Sequence, residues 1–121
     1  AGTILQKAEV VVDALDNITA RFAIQKASEE LKIPLVHGAI SGWFAQITTI
    51  LPGDKTLDKI YKGLEGAEIK NPLGNPSFTP ALAASIEVSE TVKLLIGRGE
   101  LLRNKMLFLN LLNNTFEIIE L

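Results

Sequence analysis

Three polar residues follow the apolar run Val10-Val11-Val12 and lie close enough in sequence to share one site: Asp13, Asp16 and Asn17. A run of valines is typical of a strand buried on both faces, because a half-exposed strand alternates apolar and polar residues. In an open α/β sheet, ligands bind beyond the carboxyl ends of the strands. A carboxylate at this point could therefore hold a metal-bound nucleotide. Asp16 or Asn17 could equally cap the helix that follows, so the spacing leaves the role of Asp16 open.

Two further residues could take part in chemistry near the same crevice. His37 is the single histidine and comes near the end of a second apolar run. Acid–base catalysis by a histidine needs a partner within reach, which a sequence does not show. Arg21 lies one turn into the predicted helix, where its simplest use is to pair with a nearby carboxylate.

A phosphate-binding glycine loop is missing from the sequence. No G-x-G-x-x-G follows an apolar strand, and Gly97-Arg98-Gly99 follows a predicted helix instead. The N-terminus of a helix after such a loop is the usual cradle for a triphosphate.

A βαβ unit positions these residues. Apolar runs at about residues 8–13 and 35–40 predict two parallel strands, joined by a helix over residues 17–32. The predicted inward stripe of that helix is Ala20, Ile24, Ala27 and Leu31, and its solvated side is Lys26, Glu29, Glu30 and Lys32.

The second half of the chain predicts further strands and the longest helix. Residues 43–51 favour a strand antiparallel to its predecessor, and residues 56–63 a short helix. Phe78 to Ile96 predicts a helix that ends at Gly97. Residues 106–112 and 116–121 predict a hairpin around Asn113-Asn114. The inward stripe of the long helix is predicted to be Phe78, Leu82, Ile86, Ser89, Val92 and Ile96.

Composition excludes several classes of protein. The 121 residues are 47% hydrophobic and carry 12 basic and 14 acidic side chains, a net charge of −2. This balance argues against a nucleic-acid-binding or membrane-anchoring surface, and we expect a cytoplasmic protein. The chain has no cysteine, which excludes disulfides, cysteine nucleophiles and a zinc site built from thiolates.

Several stretches together resemble the ThiF/MoeB/HesA family, the adenylyltransferases related to ubiquitin-activating enzymes. Asp13-Ala-Leu-Asp-Asn-Ile-Thr-Ala-Arg21 resembles the family's Asp-Asn-x-x-x-Arg signature. Residues 33–36, residues 42–48, and the final helix and hairpin agree in the same order. The resemblance implies an α/β fold: a partial Rossmann-like mixed sheet with two main helices and a C-terminal β-hairpin. Residues 1–121 would be a single domain fragment, the C-terminal half of an adenylyltransferase domain.

The resemblance also implies roles for individual residues. Asp16 would be the catalytic carboxylate that approaches Mg-ATP, with Asn17 and Arg21 beside the nucleotide. Gly38, Gly42 and Gln46, with His37, would lie near the carrier's tail, although Ala45 replaces a family glycine. Residues at about 52–80 would form the crossover loop. ATP and magnesium would bind only in the complete enzyme, because the nucleotide-binding half is missing.

The implied activity is ATP-dependent adenylation of the C-terminal carboxylate of a ubiquitin-like sulfur carrier, as in thiamin or molybdopterin biosynthesis. We expect the isolated chain to be inactive, and we expect it to form a homodimer or to pair with the missing N-terminal half, because the cut leaves an apolar strand at the sheet edge. The alternative is a non-catalytic fragment or pseudoenzyme that acts as a protein-interaction module. A weaker alternative is the distal half of a Rossmann-type dehydrogenase.

Overall fold

The computed structural model describes Leu5 and residues 7–62 and 74–121. This part of the chain forms one mixed sheet of five strands, with helices on both faces. The strands are β1 (Val11–Val12), β2 (Leu35–Ser41), β3 (Phe44–Ile50), β4 (Lys105–Asn110) and β5 (Thr115–Glu120). The helices are α1 (Ile18–Glu30), α2 (Thr56–Ile60) and α3 (Phe78–Ile96).

The strands lie in the sheet in their order along the chain. β1 and β2 are parallel, with Val11 opposite Leu35, and the other neighbours are antiparallel. This confirms the βαβ unit and the antiparallel third strand. The predicted hairpin is β4–β5, and Asn114 in its turn has the expected positive φ of 57°.

β1 is shorter than predicted, and its burial differs between its two residues. Val11 is buried, but Val12 is 43% exposed, so the prediction of a strand buried on both faces is wrong here. Within the described residues β1 is an edge strand, because β2 is its one neighbour in the sheet. The amide of Asp13 donates to the carbonyl of Val36 at 2.8 Å and continues the pairing beyond the strand.

Two apolar clusters hold the helices against opposite faces of the sheet. The first includes Ile18 of α1, Leu57 of α2 and Leu35 of β2. The second includes Ala83 of α3 and Leu109 of β4. Because side chains alternate along a strand, Leu35 and His37 face the α1 layer while Gly38 faces α3.

α3 begins and ends where predicted, but it buries a different face. Its buried residues are Thr79, Ala83, Glu87 and Glu90. Of the predicted inward stripe, Leu82 and Ile86 are half-buried and pack against the second apolar cluster. Phe78, Val92 and Ile96 are 45%, 46% and 58% exposed, so the prediction is wrong for these three residues. Partners supplied by other elements explain the buried acid: Oε1 of Glu90 accepts from Oγ1 of Thr49 at 2.8 Å and from the amide of Leu102 at 2.6 Å.

α1 also buries polar residues that its predicted stripe lacked. Its buried residues are Ile18, Arg21, Gln25, Ala27 and Ser28, of which Ala27 alone was predicted. The side chain of Gln25 accepts from the amide of Leu57 at 3.1 Å, so it links α1 to α2.

The end of α3 and the crossover loop were also predicted. Gly97 ends α3 as predicted, in the left-handed conformation with φ 65°, and its amide donates to the carbonyl of Lys93 at 2.9 Å. Of the predicted crossover loop at about 52–80, residues 63–73 lie outside the described residues. Among the described helices none has the length and apolar character needed to cross a membrane.

Candidate functional site

The turn between β1 and α1 shows which residue caps the helix, a role that the sequence left open between Asp16 and Asn17. Oδ1 of Asn17 accepts from the amide of Ala20 at 2.7 Å, so Asn17 is the N-cap of α1. Asp16 is exposed, and Oδ1 of its carboxylate accepts from Nδ2 of Asn17 at 3.3 Å. The helix therefore does not use the Asp16 carboxylate, which stays open to solvent at the carboxyl end of β1.

Asp13 lies buried beneath this turn. Its Oδ1 accepts from the amide of Leu15 at 2.9 Å, which fits a role in shaping the turn. Its Oδ2 lies 2.6 Å from Nδ1 of His37 and 3.3 Å from Nε of Arg21. One carboxylate thus joins the end of β1, strand β2 and helix α1.

Arg21 supports the same turn from α1. Its Nη2 donates to the carbonyl of Leu15 at 2.6 Å, and its side chain is 9% exposed. These contacts fit the simpler use predicted for Arg21, pairing with a nearby carboxylate. A contact from Arg21 to a nucleotide stays a prediction.

His37 is fully buried and neutral. Burial lowers its pKa below the usual 6.5, and this outweighs the neighbouring carboxylate of Asp13, which raises it. An ionised carboxylate can only accept, so Nδ1 carries the proton and donates to Asp13. Nε2 is then an acceptor, and it lies 3.2 Å from both Nε2 of Gln46 and the hydroxyl of Tyr61.

A hydrogen-bonded chain therefore runs from Asp13 through His37 to Gln46 and Tyr61. Nε2 of Gln46 also donates to the Tyr61 hydroxyl at 2.8 Å. Burial raises the pKa of Tyr61 above 10.0, so the phenol stays protonated at neutral pH. Tyr61 was not predicted as a site residue, and no local pattern around it in the sequence points to one.

The two glycines that were predicted beside the carrier tail do not contact the cluster of His37 and Gln46. Gly38 faces α3, where an added Cβ would overlap the carboxyl group of Glu87. Gly42 occupies the β2–β3 turn with φ 60°, and its amide donates to Oδ1 of Asn75 at 2.7 Å. Of the four predicted tail residues, His37 and Gln46 are in contact, whereas Gly38 lies on the other face and Gly42 at the turn.

Glu87 is a buried acid that the sequence analysis did not single out. Burial, and then the negative charge of Asp13, raise its pKa from 4.5 to about 7, while Arg21 acts in the opposite direction. Its Oε2 has no hydrogen-bond partner. Within residues 7–62 and 74–121, no group of three or more His, Cys, Asp or Glu side chains could hold a metal ion.

Comparison with known proteins gives a consistent family. The ThiF family profile matches residues 1–121. The SAMP-activating enzyme E1 of Haloferax volcanii is 32% identical over 114 residues, which are 92% of this chain and 42% of that protein. Adenylyltransferase and sulfurtransferase MOCS3-2 of Zea mays is 27% identical over 122 residues, covering 98% of this chain and 25% of that protein. The chain thus spans less than half the length of these relatives.

Solved structures show the same fold. The crystal structure of E. coli MccB with ATP superposes with a TM-score of 0.72 at 15% identity, covering 99% of this chain and 39% of that one. PaaA superposes with a TM-score of 0.71 at 13% identity, over 98% of this chain and 44% of that one. At such identities the likeness concerns the fold alone.

Proposed function

The chain belongs to the ThiF family, and we propose that it is the C-terminal part of an ATP-dependent adenylyltransferase acting on the C-terminal carboxylate of a ubiquitin-like sulfur carrier. Its relatives by sequence include adenylyltransferases and a SAMP-activating E1. The complete activity requires a nucleotide-binding half, because this chain lacks a phosphate-binding glycine loop.

The exposed carboxylate of Asp16 carries this proposal. Asn17 caps α1, which leaves Asp16 free to meet a ligand beyond the carboxyl end of β1. The resemblance assigns the approach to Mg-ATP to this same residue. The two lines of support are independent, since one comes from hydrogen bonds and the other from sequence.

The residues around Asp16 fit a nucleotide-bound magnesium ion. Mg²⁺ in such sites takes one or two protein carboxylates and completes its shell with phosphate oxygens and water. Asp16 supplies one carboxylate with no backbone partner. When bound, magnesium-ATP would supply an α-phosphorus for attack by the carrier's carboxylate, with pyrophosphate as the leaving group. This chain's part is to hold the Asp16 carboxylate in place and to form part of the surface beside the carrier's tail.

The buried series of hydrogen bonds that links Asp13, His37 and Gln46 supports the proposed tail site. Gln46 is half-buried, and its amide is fixed by His37 and Tyr61. A fixed amide in β3, opposite Ala39 of β2, can orient a peptide-like tail, because positioning contributes much of the rate in adenylation. His37 is then a positioning residue, since its two ring nitrogens are already engaged.

The edge strand β1 is the proposed junction with the N-terminal half. Val12 is 43% exposed, and the outer side of β1 has no strand beside it among the described residues. A further strand of the same domain would pair here and remove the unpaired edge.

Pyrophosphate exchange with ATP and a Gly-Gly-tailed carrier tests the function. We expect exchange from a longer product that includes a nucleotide-binding half, and none from this chain alone. Asp16→Ala in the longer product should lower the rate by about 10²–10³-fold, the usual effect of losing one charge-stabilising group. Asp58→Ala removes an exposed carboxylate on α2 and should leave the rate unchanged. Exchange that is unaffected by Asp16→Ala would contradict the proposal.

The alternative, a non-catalytic interaction module, is favoured by one observation. Within the described residues, Val88, Val92, Leu95 and Ile96 of α3 are exposed apolar side chains. No exchange from either product, together with a defined partner on this side of α3, would favour this alternative.

A further inference from the structure

The tautomer of His37 fixes which way the side-chain amide of Gln46 points. Nδ1 of His37 lies 2.6 Å from Oδ2 of Asp13, and because an ionised carboxylate can only accept, Nδ1 carries the ring proton. Nε2 of the neutral ring therefore presents a lone pair and no proton. The Gln46 amide meets this lone pair at 3.2 Å, so its NH₂ group faces the ring, since its carbonyl oxygen would bring two acceptors together.

The hydroxyl of Tyr61 takes up the second proton of the same amide. Nε2 of Gln46 donates to this hydroxyl at 2.8 Å, and the hydroxyl oxygen lies 3.2 Å from Nε2 of His37. One N–H of Gln46 is thus directed at His37 and the other at Tyr61. Both donors of the amide are engaged inside the protein, so its carbonyl oxygen points away from these partners.

The carbonyl oxygen of Gln46 is an open acceptor on an apolar part of the sheet. No donor among the described residues reaches Oε1, and it is not one of the buried side-chain atoms that lack a partner, so solvent reaches it. Its neighbours across the sheet are Ala39 of β2 and Phe108 of β4. The ring of Phe108 stacks on Phe44 with centroids 6.0 Å apart. Apolar surroundings strengthen a hydrogen bond from a ligand, because little water competes for the acceptor.

Gln46 lies beyond the carboxyl end of β1, as Asp16 does. The last residue pair of β1 and β2 is Val12 with Val36. Ala39, which is opposite Gln46, comes three residues later, about 10 Å further along β2. A ligand bound at this edge of the sheet can therefore meet both residues.

We propose that Gln46 is a specificity-determining residue of the tail site, whose Oε1 accepts a hydrogen bond from a backbone N–H of the last two residues of the bound tail. The terminal carboxylate then lies towards Asp16. This inference rests on the proposed function and adds the chemical group that Gln46 recognises. A carboxylate oxygen cannot take the place of the N–H, because it would be a second acceptor, and a proline at that residue has no N–H to offer.

An NMR titration of the whole chain with a peptide that ends in Gly-Gly tests this contact. Ester analogues replace the amide N–H of one glycine at a time by oxygen, which deletes a single donor. We expect one analogue to bind the wild type about tenfold more weakly than the peptide, the effect of losing one hydrogen bond. In Gln46→Met all the peptides should bind alike. The control Asn113→Met removes an exposed amide at the hairpin turn and should keep the tenfold difference.

Solvent exchange of the Gln46 NH₂ protons gives a second readout that requires neither a variant nor a ligand. Because both protons are directed at partners inside the protein, they should exchange more slowly than the side-chain NH₂ protons of the exposed Asn113. Equally fast exchange would mean that the NH₂ group of Gln46 faces solvent, which would overturn the proposal.

The outcomes separate this contact from the adenylation reaction. Absence of peptide binding, equal binding of all analogues by the wild type, or a tenfold difference that persists in Gln46→Met would each overturn the role of Gln46. Pyrophosphate exchange by the longer product would still support adenylation in those cases. A tenfold difference that depends on Gln46, found together with no pyrophosphate exchange, would support the contact and contradict adenylation.

Discussion

The carboxylate of Asp13 and the imidazole of His37 form a buried pair, with Oδ2 and Nδ1 2.6 Å apart. The pair joins the end of β1 to the middle of β2, and Arg21 approaches the same carboxylate at 3.3 Å. Because all three side chains are buried, the charge of Asp13 compensates that of Arg21.

Replacing Asp13 with Asn should strongly destabilise the protein. The substitution leaves the buried cation of Arg21 without its counter-charge, and breaking such a pair costs about 3–5 kcal/mol. Urea unfolding at pH 7 measures the loss in the free energy of unfolding. Asp58→Asn, on an exposed part of α2, is the control and should change it by less than about 0.5 kcal/mol. If Asp13→Asn lowered the free energy of unfolding as little as the control, then another group would have to compensate the charge of Arg21.

Replacing Glu87 with Gln should change how stability depends on pH. The raised pKa, about 7 against an ordinary 4.5, means that the folded state holds the proton more tightly than the unfolded chain. This stabilisation is fully present below pH 4.5 and is lost as the pH rises through 7. Since Gln stays neutral, the stability of Glu87→Gln relative to wild type should increase from pH 4.5 to pH 8 by up to about 2 kcal/mol, allowing for solvent screening.

Urea unfolding of both proteins across this pH range measures the difference. The titration of His37 occurs in both proteins and cancels when they are compared. Glu117→Gln on exposed β5 is the control, and its difference from wild type should not vary with pH in this way. A difference between Glu87→Gln and wild type that stays constant would mean that Glu87 ionises as freely as an exposed carboxyl.

Gly38→Ala should destabilise the protein unless Glu87 is shortened. A Cβ at position 38 would overlap the Glu87 carboxyl group, so this buried side chain must move, at a cost of about 1 kcal/mol. In a Glu87→Ala background the space is available, and the same substitution should cost less. A double-mutant cycle measured by urea unfolding gives this coupling. Purely additive effects would contradict the close approach of α3 to β2.

Asn17→Ala and Asp16→Ala should affect different properties. Loss of the cap to Ala20 should lower the free energy of unfolding by about 0.5–2 kcal/mol in Asn17→Ala. Asp16→Ala removes an exposed carboxylate that caps nothing, so thermal unfolding should stay close to that of wild type. Equal destabilisation by the two substitutions would mean that Asp16 shares the cap.

Local patterns predicted most of the fold. The succession of strands and helices along the chain, the parallel β1–β2 pair and the bounds of α3 follow from periodicity and from turn residues such as Gly97, which act over a few positions. The pairing of β3 with β4 was not predicted. The inward face of α3 could not be predicted in this way. Oε1 of the buried Glu90 accepts from Thr49 and Leu102, which come from other parts of the chain, while its Oε2 pairs with Lys93 of the same helix.

The candidate site shows the same division. The turn holding Asp16 and Asn17 was predicted, because capping residues and strand ends have local signals. The contacts of His37 were not predicted, since Asp13 and Tyr61 each lie 24 positions away in sequence. The hydroxyl of Tyr61 reaches His37 only because α2 packs beside α1 on the same face of the sheet.

The tether between Arg21 and Leu15 has a consequence for ligand binding. The amide of Leu15 donates to Asp13 at 2.9 Å and its carbonyl accepts from Arg21 at 2.6 Å, so both backbone groups of this residue are fixed. The backbone immediately before Asp16 is therefore held in one conformation. Because folding already fixes this backbone, ligand binding does not have to order it and loses less conformational entropy. The turn is therefore preorganised for a ligand.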